Sequence, residues 1–235
     1  TIFATGCSSK ETIGFGFNPG MSSVTDISLP LWQGAWIAAL VVGAFTAALI
    51  LWAAIFHRKK DESFPKQTRY NIPTEIAYTI IPFVIVAVLF GYTAVAETNI
   101  TKISPANSTA VHDVTVNAFQ WSWQFSHKEA GPGTTITGTP AQPAVLYMPL
   151  GERVRFKLTS SDVIHGFWIP AFMIQMMNLP GVDNQLEFSA NKLGTFPGRC
   201  NMLCGRSHSQ MLFTVKVVTP TEYQAYIADL KAGQK

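Results

Sequence analysis

Cys200, Cys204, His208 and Met211 place two thiols, an imidazole and a thioether in one twelve-residue stretch, spaced Cys-x3-Cys-x3-His-x2-Met. Thiolate and thioether are soft donors and imidazole is borderline. Such a set suits copper or zinc and poorly matches magnesium or calcium. Zinc sites rarely include methionine, whereas a long, weak axial methionine is typical of copper sites that carry electrons. A single copper in such a site takes one cysteine as a rule. Two cysteines on one loop can instead bridge two copper ions through both sulfurs. The competing reading is a cystine beside a methionine that only fills the core. A second histidine, His165, lies upstream between Ser161 and Pro170. Alone it would read as a satisfied core side chain, but it supplies the nitrogen a second copper needs. Taken together the residues favour a redox copper centre.

Short strands must hold such a set. Val114, Val116 and Ala118 share one parity, and Phe119, Trp121, Trp123 and Phe125 the other. That switch predicts a bulge near Ala118 or two strand segments. The Gly/Pro/Thr-rich stretch 130–143 reads as turns and loop. Val154, Phe156 and Leu158 alternate with Arg153, Arg155 and Lys157 and should face inward, and 185–190 and 211–218 are further strands. Short strands between turn signals fit an antiparallel sandwich or barrel. Phe167, Trp168 and Phe213 are expected to pack around the metal ligands and exclude water. Thr219-Pro220-Thr221-Glu222 has the form of a capping box opening a helix. The stripe Tyr223, Tyr226, Ile227 and Leu230 should then pack on the sandwich or on a partner subunit.

With 235 residues, 48% hydrophobic and 13% charged, the chain is apolar for a soluble protein. The cause is local. Leu31 to Phe56 carries no charge and as a helix would span roughly 39 Å, enough to cross a bilayer with tilt. Ile76 to Ala96 is a second span, preceded by Glu75 and containing Pro82. Two buried core helices are the alternative, and the lengths oppose it. The connection 57–72 sets Arg58, Lys59, Lys60, Lys66 and Arg69 against Asp61 and Glu62. It is therefore expected in the cytoplasm, with both termini and the domain after Ala96 outside. Charges beyond the hairpin nearly balance, which argues against a nucleic-acid partner. The expected organisation is an extracytoplasmic N-terminal segment 1–30, a transmembrane hairpin 31–97 with its cytoplasmic loop 57–72, a β-sandwich 98–220, and a helix or tail 221–235. No Cys-x-x-Cys-His, nucleophile–base pair or phosphate loop is seen. The chain can relay electrons but needs a catalytic partner.

The His165 segment and the Cys200–Met211 loop resemble the binuclear CuA site of subunit II of haem–copper cytochrome c oxidases, of the bacterial and actinobacterial aa3 type. The resemblance implies a two-helix membrane hairpin with an all-β cupredoxin-like sandwich. His165, Cys200, Cys204, His208 and Met211 would be the side-chain ligands, and Met202 would lend its main-chain carbonyl. It further implies partnership with subunits I and III, with haem a and CuB in subunit I. Electrons would come from cytochrome c, from a membrane-tethered cytochrome c domain, or within a respiratory supercomplex. Trp121 would receive the electron, with Trp123 in the core; without the copper motif both would read as core aromatics. Glu75 would mark the mouth of a proton-uptake channel, the alternative being a solvated carboxylate favoured by the helix dipole. Asp113, Glu152, Asp162 and Asp183 are candidates for an acidic docking rim.

Two positions depart from that family's pattern. Met202 stands where it usually has a glutamate that also binds magnesium, and a thioether is a poor ligand for so hard a cation. Val182 replaces a basic residue, a change without a physical account. Cys7, in Ala4-Thr5-Gly6-Cys7, is similar to the end of a bacterial lipoprotein signal. It suggests a lipid anchor in a bacterial plasma membrane; an unpaired thiol is the alternative. Two other functions remain open: the CuA subunit of another terminal reductase of the nitric oxide reductase type, and a membrane-tethered copper-delivery protein. Cys200 and Cys204 argue against a quinol donor.

Overall fold

The computed structural model describes residues 14–59, 61–105, 108 and 111–233; Cys7 lies outside them. The described residues form two compact units, one within 30–97 and one that joins those of 14–29 to those of 98–233.

The first unit consists of helices α1 (Ser23–Phe56, its first residues in the other unit) and α2 (Ile72–Ile100). α1 begins at Ser23 rather than Leu31. Ser22 Oγ accepts from Thr25 N–H at 3.0 Å, and Asp26 in the first turn favours the helix dipole. α2 begins on a reciprocal cap: Asn71 Oδ1 accepts from Thr74 N–H at 3.4 Å, and Glu75 Oε1 from Asn71 N–H at 3.0 Å. The hydroxyls of Thr46, Thr79 and Thr93 donate to the carbonyls of Val42, Glu75 and Leu89, each four residues back. The polar groups of these threonines are thus satisfied within apolar helices. Leu40, Phe45, Leu51, Phe83, Val86 and Phe90 are all exposed. Helices that are apolar all round and unburied belong in lipid, and both are long enough to cross it.

The second unit is a sandwich of two five-stranded sheets, in the orders β3-β2-β1-β5-β8 and β4-β10-β9-β6-β7. The strands are β1 (Val111–Phe119), β2 (Ser122–His127), β3 (Ile136–Thr137), β4 (Ala144–Pro149), β5 (Arg153–Ser160), β6 (His165–Ile169), β7 (Ile174–Asn178), β8 (Asn184–Ser189), β9 (Gly194–Cys200) and β10 (Leu212–Val218). The parity switch after Ala118 resolves as two segments. β1 and β2 form a hairpin with Phe119 opposite Ser122, so Gln120 and Trp121 are its turn. The sheets are mixed rather than wholly antiparallel, because β1–β5 and β4–β10 run parallel. β3 arises within the stretch read as loop and pairs with the outer edge of β2.

Trp123, Phe125, Leu146, Phe156, Leu158, Phe167, Phe188 and Phe213 fill the space between the sheets; burying each such side chain is worth ~1.5–3 kcal/mol. Two segments that flank the sandwich belong to this unit. Residues 14–29 are tied in where Asn191 N–H donates to the Met21 carbonyl (3.0 Å) and Ser22 Oγ to the Phe172 carbonyl (3.0 Å), with Met21 and Val24 buried. Helix α3 (Pro220–Lys231) starts on the anticipated capping box at Thr219 and Glu222. It buries Tyr223, Tyr226, Ile227 and Leu230 against Ala130 and Val218, with Tyr226 stacked on Tyr147 at 3.9 Å.

Candidate metal centre

β6 begins with His165 and β9 ends with Cys200, and the two strands pair antiparallel with Phe167 opposite Cys200. Strand alternation turns His165 and Phe167 toward the core and Gly166 outward. Beyond Cys200 the chain leaves the sheet, passes Cys204 and a 3₁₀ turn at His208–Gln210, and re-enters as β10. Cys200 N–H donates to the Met211 carbonyl at 3.0 Å, closing the loop. Glycine is required at two points. A Cβ on Gly166 would overlap Asn201 and Met202. Gly205 takes φ +119°, with the Trp121 ring 3.2 Å from where a Cβ would stand.

The two Sγ atoms are 3.8 Å apart and both cysteines are free, well beyond the ~2.05 Å of a disulfide bond. One imidazole stands beside each sulfur: His165 Nδ1 is 3.9 Å from Cys200 Sγ, and His208 Nδ1 is 3.5 Å from Cys204 Sγ. Met211 Sδ lies 3.8 Å from Cys204 Sγ, and the Met202 carbonyl oxygen 3.1 Å from Cys200 Sγ. The ligand atoms of His165, Cys200 and Cys204 all lie within 4.8 Å of one another. Those three and Met211 are buried, and His208 is half-buried. All six residues named from the sequence thus converge. Two thiols, two imidazoles, a thioether and a carbonyl form a donor set that fits soft or borderline ions.

Electrostatics prepare the thiols unequally. Burial opposes the Cys200 thiolate but is outweighed by His165 and by backbone groups of Gly166 and Met202, so its pKa falls. Burial and the neighbouring Cys200 push Cys204 up. The first proton therefore leaves the pair readily and the second is held; a bound cation would release both. His165 is raised: burial works against its charge, but Cys200 and Asp162 prevail.

Similarity to known proteins shows the family. The family model for the periplasmic domain of cytochrome c oxidase subunit II matches residues 141–218. A probable cytochrome c oxidase subunit 2 of Streptomyces avermitilis is 40% identical over 272 residues, covering 98% of this chain and 84% of that one. The cytochrome c oxidase subunit 2 of Mycobacterium tuberculosis is 32% identical over 284 residues, covering 96% and 77%. The chain belongs to the cytochrome c oxidase subunit II family. Among solved structures, the periplasmic domain of subunit II of cytochrome oxidase of Bradyrhizobium japonicum aligns with TM-score 0.48 and 24% identity, over 57% of this chain and 100% of that one. As a member of the subunit II family, the chain is a membrane protein with an extracytoplasmic domain and a subunit of a respiratory oxidase. The family match runs from β4 to β10 and contains every residue of the centre.

Asp162 and Gln120 were not anticipated beside the centre. Asp162, expected on a docking rim, instead serves the centre: Oδ1 accepts from His165 Nε2 at 2.8 Å and Oδ2 from Gln120 N–H at 2.7 Å. That leaves His165 Nδ1 facing the sulfur; the Asp-x-x-His spacing was the available signal. Gln120 Nε2 and Trp121 Nε1 donate to the Cys204 carbonyl at 2.7 and 3.1 Å, laying the half-buried Trp121 ring over the Cys204–Gly205 peptide. Trp123 is fully buried, 5.1 Å from Phe213 edge-to-face, with its indole N–H 3.4 Å from the Met211 carbonyl. Phe167 and Phe213 stack at 4.9 Å beside it. Trp168, expected to help enclose the ligands, faces out of the sheet beneath the Arg199 guanidinium at 5.8 Å, because it shares the outward parity of Gly166.

The remaining acidic residues do not form one rim. Asp113 pairs with Arg155 (2.6 Å) and Lys128 (3.1 Å), and Glu152 with His112 (2.7 Å), at the end of β1 remote from the Gln120–Trp121 turn. Asp183 pairs with Lys157 at 2.8 Å.

Proposed function

We propose that this chain is subunit II of an aa3-type cytochrome c oxidase and relays electrons from cytochrome c toward haem a of subunit I, where oxygen is reduced to water with proton translocation. The observation that carries this reading is the pair of unbonded sulfurs 3.8 Å apart with one imidazole beside each. His165, Cys200, Cys204, His208 and Met211, with the Met202 carbonyl, would hold a binuclear copper (CuA). That group supplies one-electron storage spread over two metals and two sulfurs.

The chain's own residues do the rest. Strands β6, β9 and β10 hold the ligands in place, so little rearrangement accompanies a change of charge. Asp162 orients His165, and Phe167, Phe213 and Trp123 keep water from the ligands. Trp121, half-buried and hydrogen-bonded to the Cys204 carbonyl, offers a port from the surface to the ligand loop. Glu75, held by its cap at the start of α2, marks the mouth of proton uptake. The loop 57–72 lies in the cytoplasm and the sandwich outside the plasma membrane of a bacterium. Its partners there are subunits I and III and a soluble or membrane-tethered cytochrome c, alone or in a supercomplex. A copper-delivery protein would need exposed, labile ligands, and the burial of Cys200, Cys204 and Met211 opposes that reading.

Electron paramagnetic resonance of the copper-loaded chain tests the proposal. Hyperfine structure from one electron shared equally by two coppers is expected. A mononuclear Cu(II) spectrum would sink it. Haem a in the same detergent-solubilised particle would separate the oxidase from a nitric oxide reductase.

A further inference from the structure

Met202 turns its two ends in different directions. Its carbonyl faces Cys200, while its side chain leaves the centre and lies over Gly166, where a Cβ would meet Met202 Cγ. Gly166 is the direct cross-strand partner of Met177 on β7. In β7, Ile174 and Asn178 are buried while Gln175 and Met177 are exposed. Met177 therefore stands on the outer face that Met202 covers. Directly paired residues on one face have Cβ positions ~4.5–5.5 Å apart, and each methionine has three rotatable side-chain bonds beyond that. Asn201 Nδ2 donates to Gln175 Oε1 on the same face, pinning the ligand loop beside the strand that carries Met177.

Met202 and Met177 are 37% and 43% exposed, so neither thioether is spent on core packing. A neutral thioether is a weak ligand for zinc, magnesium or calcium and a good one for Cu(I). We propose that Met177 and Met202 form a surface thioether pair that captures Cu(I) and passes it to the Cys200 and Cys204 thiols. The role in loading rests on the copper reading above. The step is ligand exchange: Cu(I) leaves two neutral thioethers for sulfurs whose protons pass to solvent. No electron moves. The Cys200-facing carbonyl and the outward thioether belong to one residue, so capture and delivery lie a single side chain apart.

Two measurements on the full chain in detergent test this. In the first, Cys7→Ser/Cys200→Ser/Cys204→Ser chain carrying methyl-labelled methionine is titrated with Ag(I), a redox-inert stand-in for Cu(I). Among the seven methionines, the methyl signals assigned through Met177→Leu and Met202→Leu should shift together at one equivalent. Shifts spread over other methionines, or seen only at large excess, would overturn the proposal. In the second, buffered Cu(I) is offered to a Cys7→Ser chain with Cys200 and Cys204 intact. Met177→Leu should slow the loss of free thiols by about tenfold, equivalent to about 1.4 kcal/mol, and leave their final loss unchanged. An unaltered rate would show that the pair is only surface filler. If the unsubstituted chain takes no copper at its thiols, the relay reading has failed, and the Ag(I) titration still decides whether the thioethers bind.

Discussion

His165 and His127 are equally buried and in opposite electrical situations. His165, 0% exposed, lies between Asp162 Oδ1 at 2.8 Å and Cys200 Sγ at 3.9 Å, and its pKa is raised. His127, 1% exposed at the far end of β2, accepts or donates one hydrogen bond, at 3.0 Å to Tyr223 Oη, and its Nε2 has no partner. Burial, then the nearby His112, drives it down to about 4. Desolvation opposes the charged form of both, more strongly at His127. What also differs is whether an acidic or anionic neighbour stands within hydrogen-bonding reach. The site of one histidine favours positive charge and the site of the other refuses it.

The comparison is broken most completely at its sulfur. Cys200→Ser replaces a soft donor by a hydroxyl; if the proposed function holds, the shared-electron copper spectrum should vanish and metal analysis should show at most one ion per chain. A surviving two-copper spectrum would mean that Cys200 is not a bridge.

Acid sharpens the other end. The folded state keeps His127 neutral down to about pH 4, whereas the unfolded chain takes up a proton near pH 6.5. The unfolded state therefore binds more protons in between, and stability is full above pH 6.5 and falls as the pH drops toward 4, by about 3 kcal/mol. Denaturant unfolding at several pH values should show this slope, and His127→Gln should remove that part of it. Identical slopes in the two chains would refute the assignment to His127.

Asp162→Ala removes the anionic partner of His165 and should weaken copper binding by about 10–100-fold, as expected when a ligand loses its orienting group. Competition with a chelator reads this out; unchanged affinity would mean that Asp162 does not orient the ligand. Tyr223→Phe deletes the hydrogen-bonding partner of His127 and should cost ~1–3 kcal/mol. The same change should leave the copper spectrum untouched, since Tyr223 packs in the separate cluster under α3.

Much of this was legible along the chain. Helix length and uniform apolarity announce a membrane span whatever packs nearby, so α1 and α2 could be read directly, though their ends could not. α1 starts at Ser23 because a cap and an acidic first turn extend it past the apolar run. The donor types were equally plain, since softness belongs to the side chain and not to the fold. Strands β4 and β6 went unnamed because short, largely apolar strands lack a clean alternation, and β9 because Gly194, Pro197 and Gly198 read as turn residues. Trp168 was placed wrongly for a related reason: which face of β6 looks inward depends on register with β9 and β7.

By itself the sequence determined the kinds of atoms available and the span of two helices, because both are properties of local composition. Tertiary structure alone set His165 beside a cysteine thirty-five residues away, placed Asp162 against that imidazole, and left the Met202 side chain partly exposed. Those outcomes depend on sheet pairing between distant segments. A shift of one residue in strand register would turn His165 and Cys200 to the opposite face.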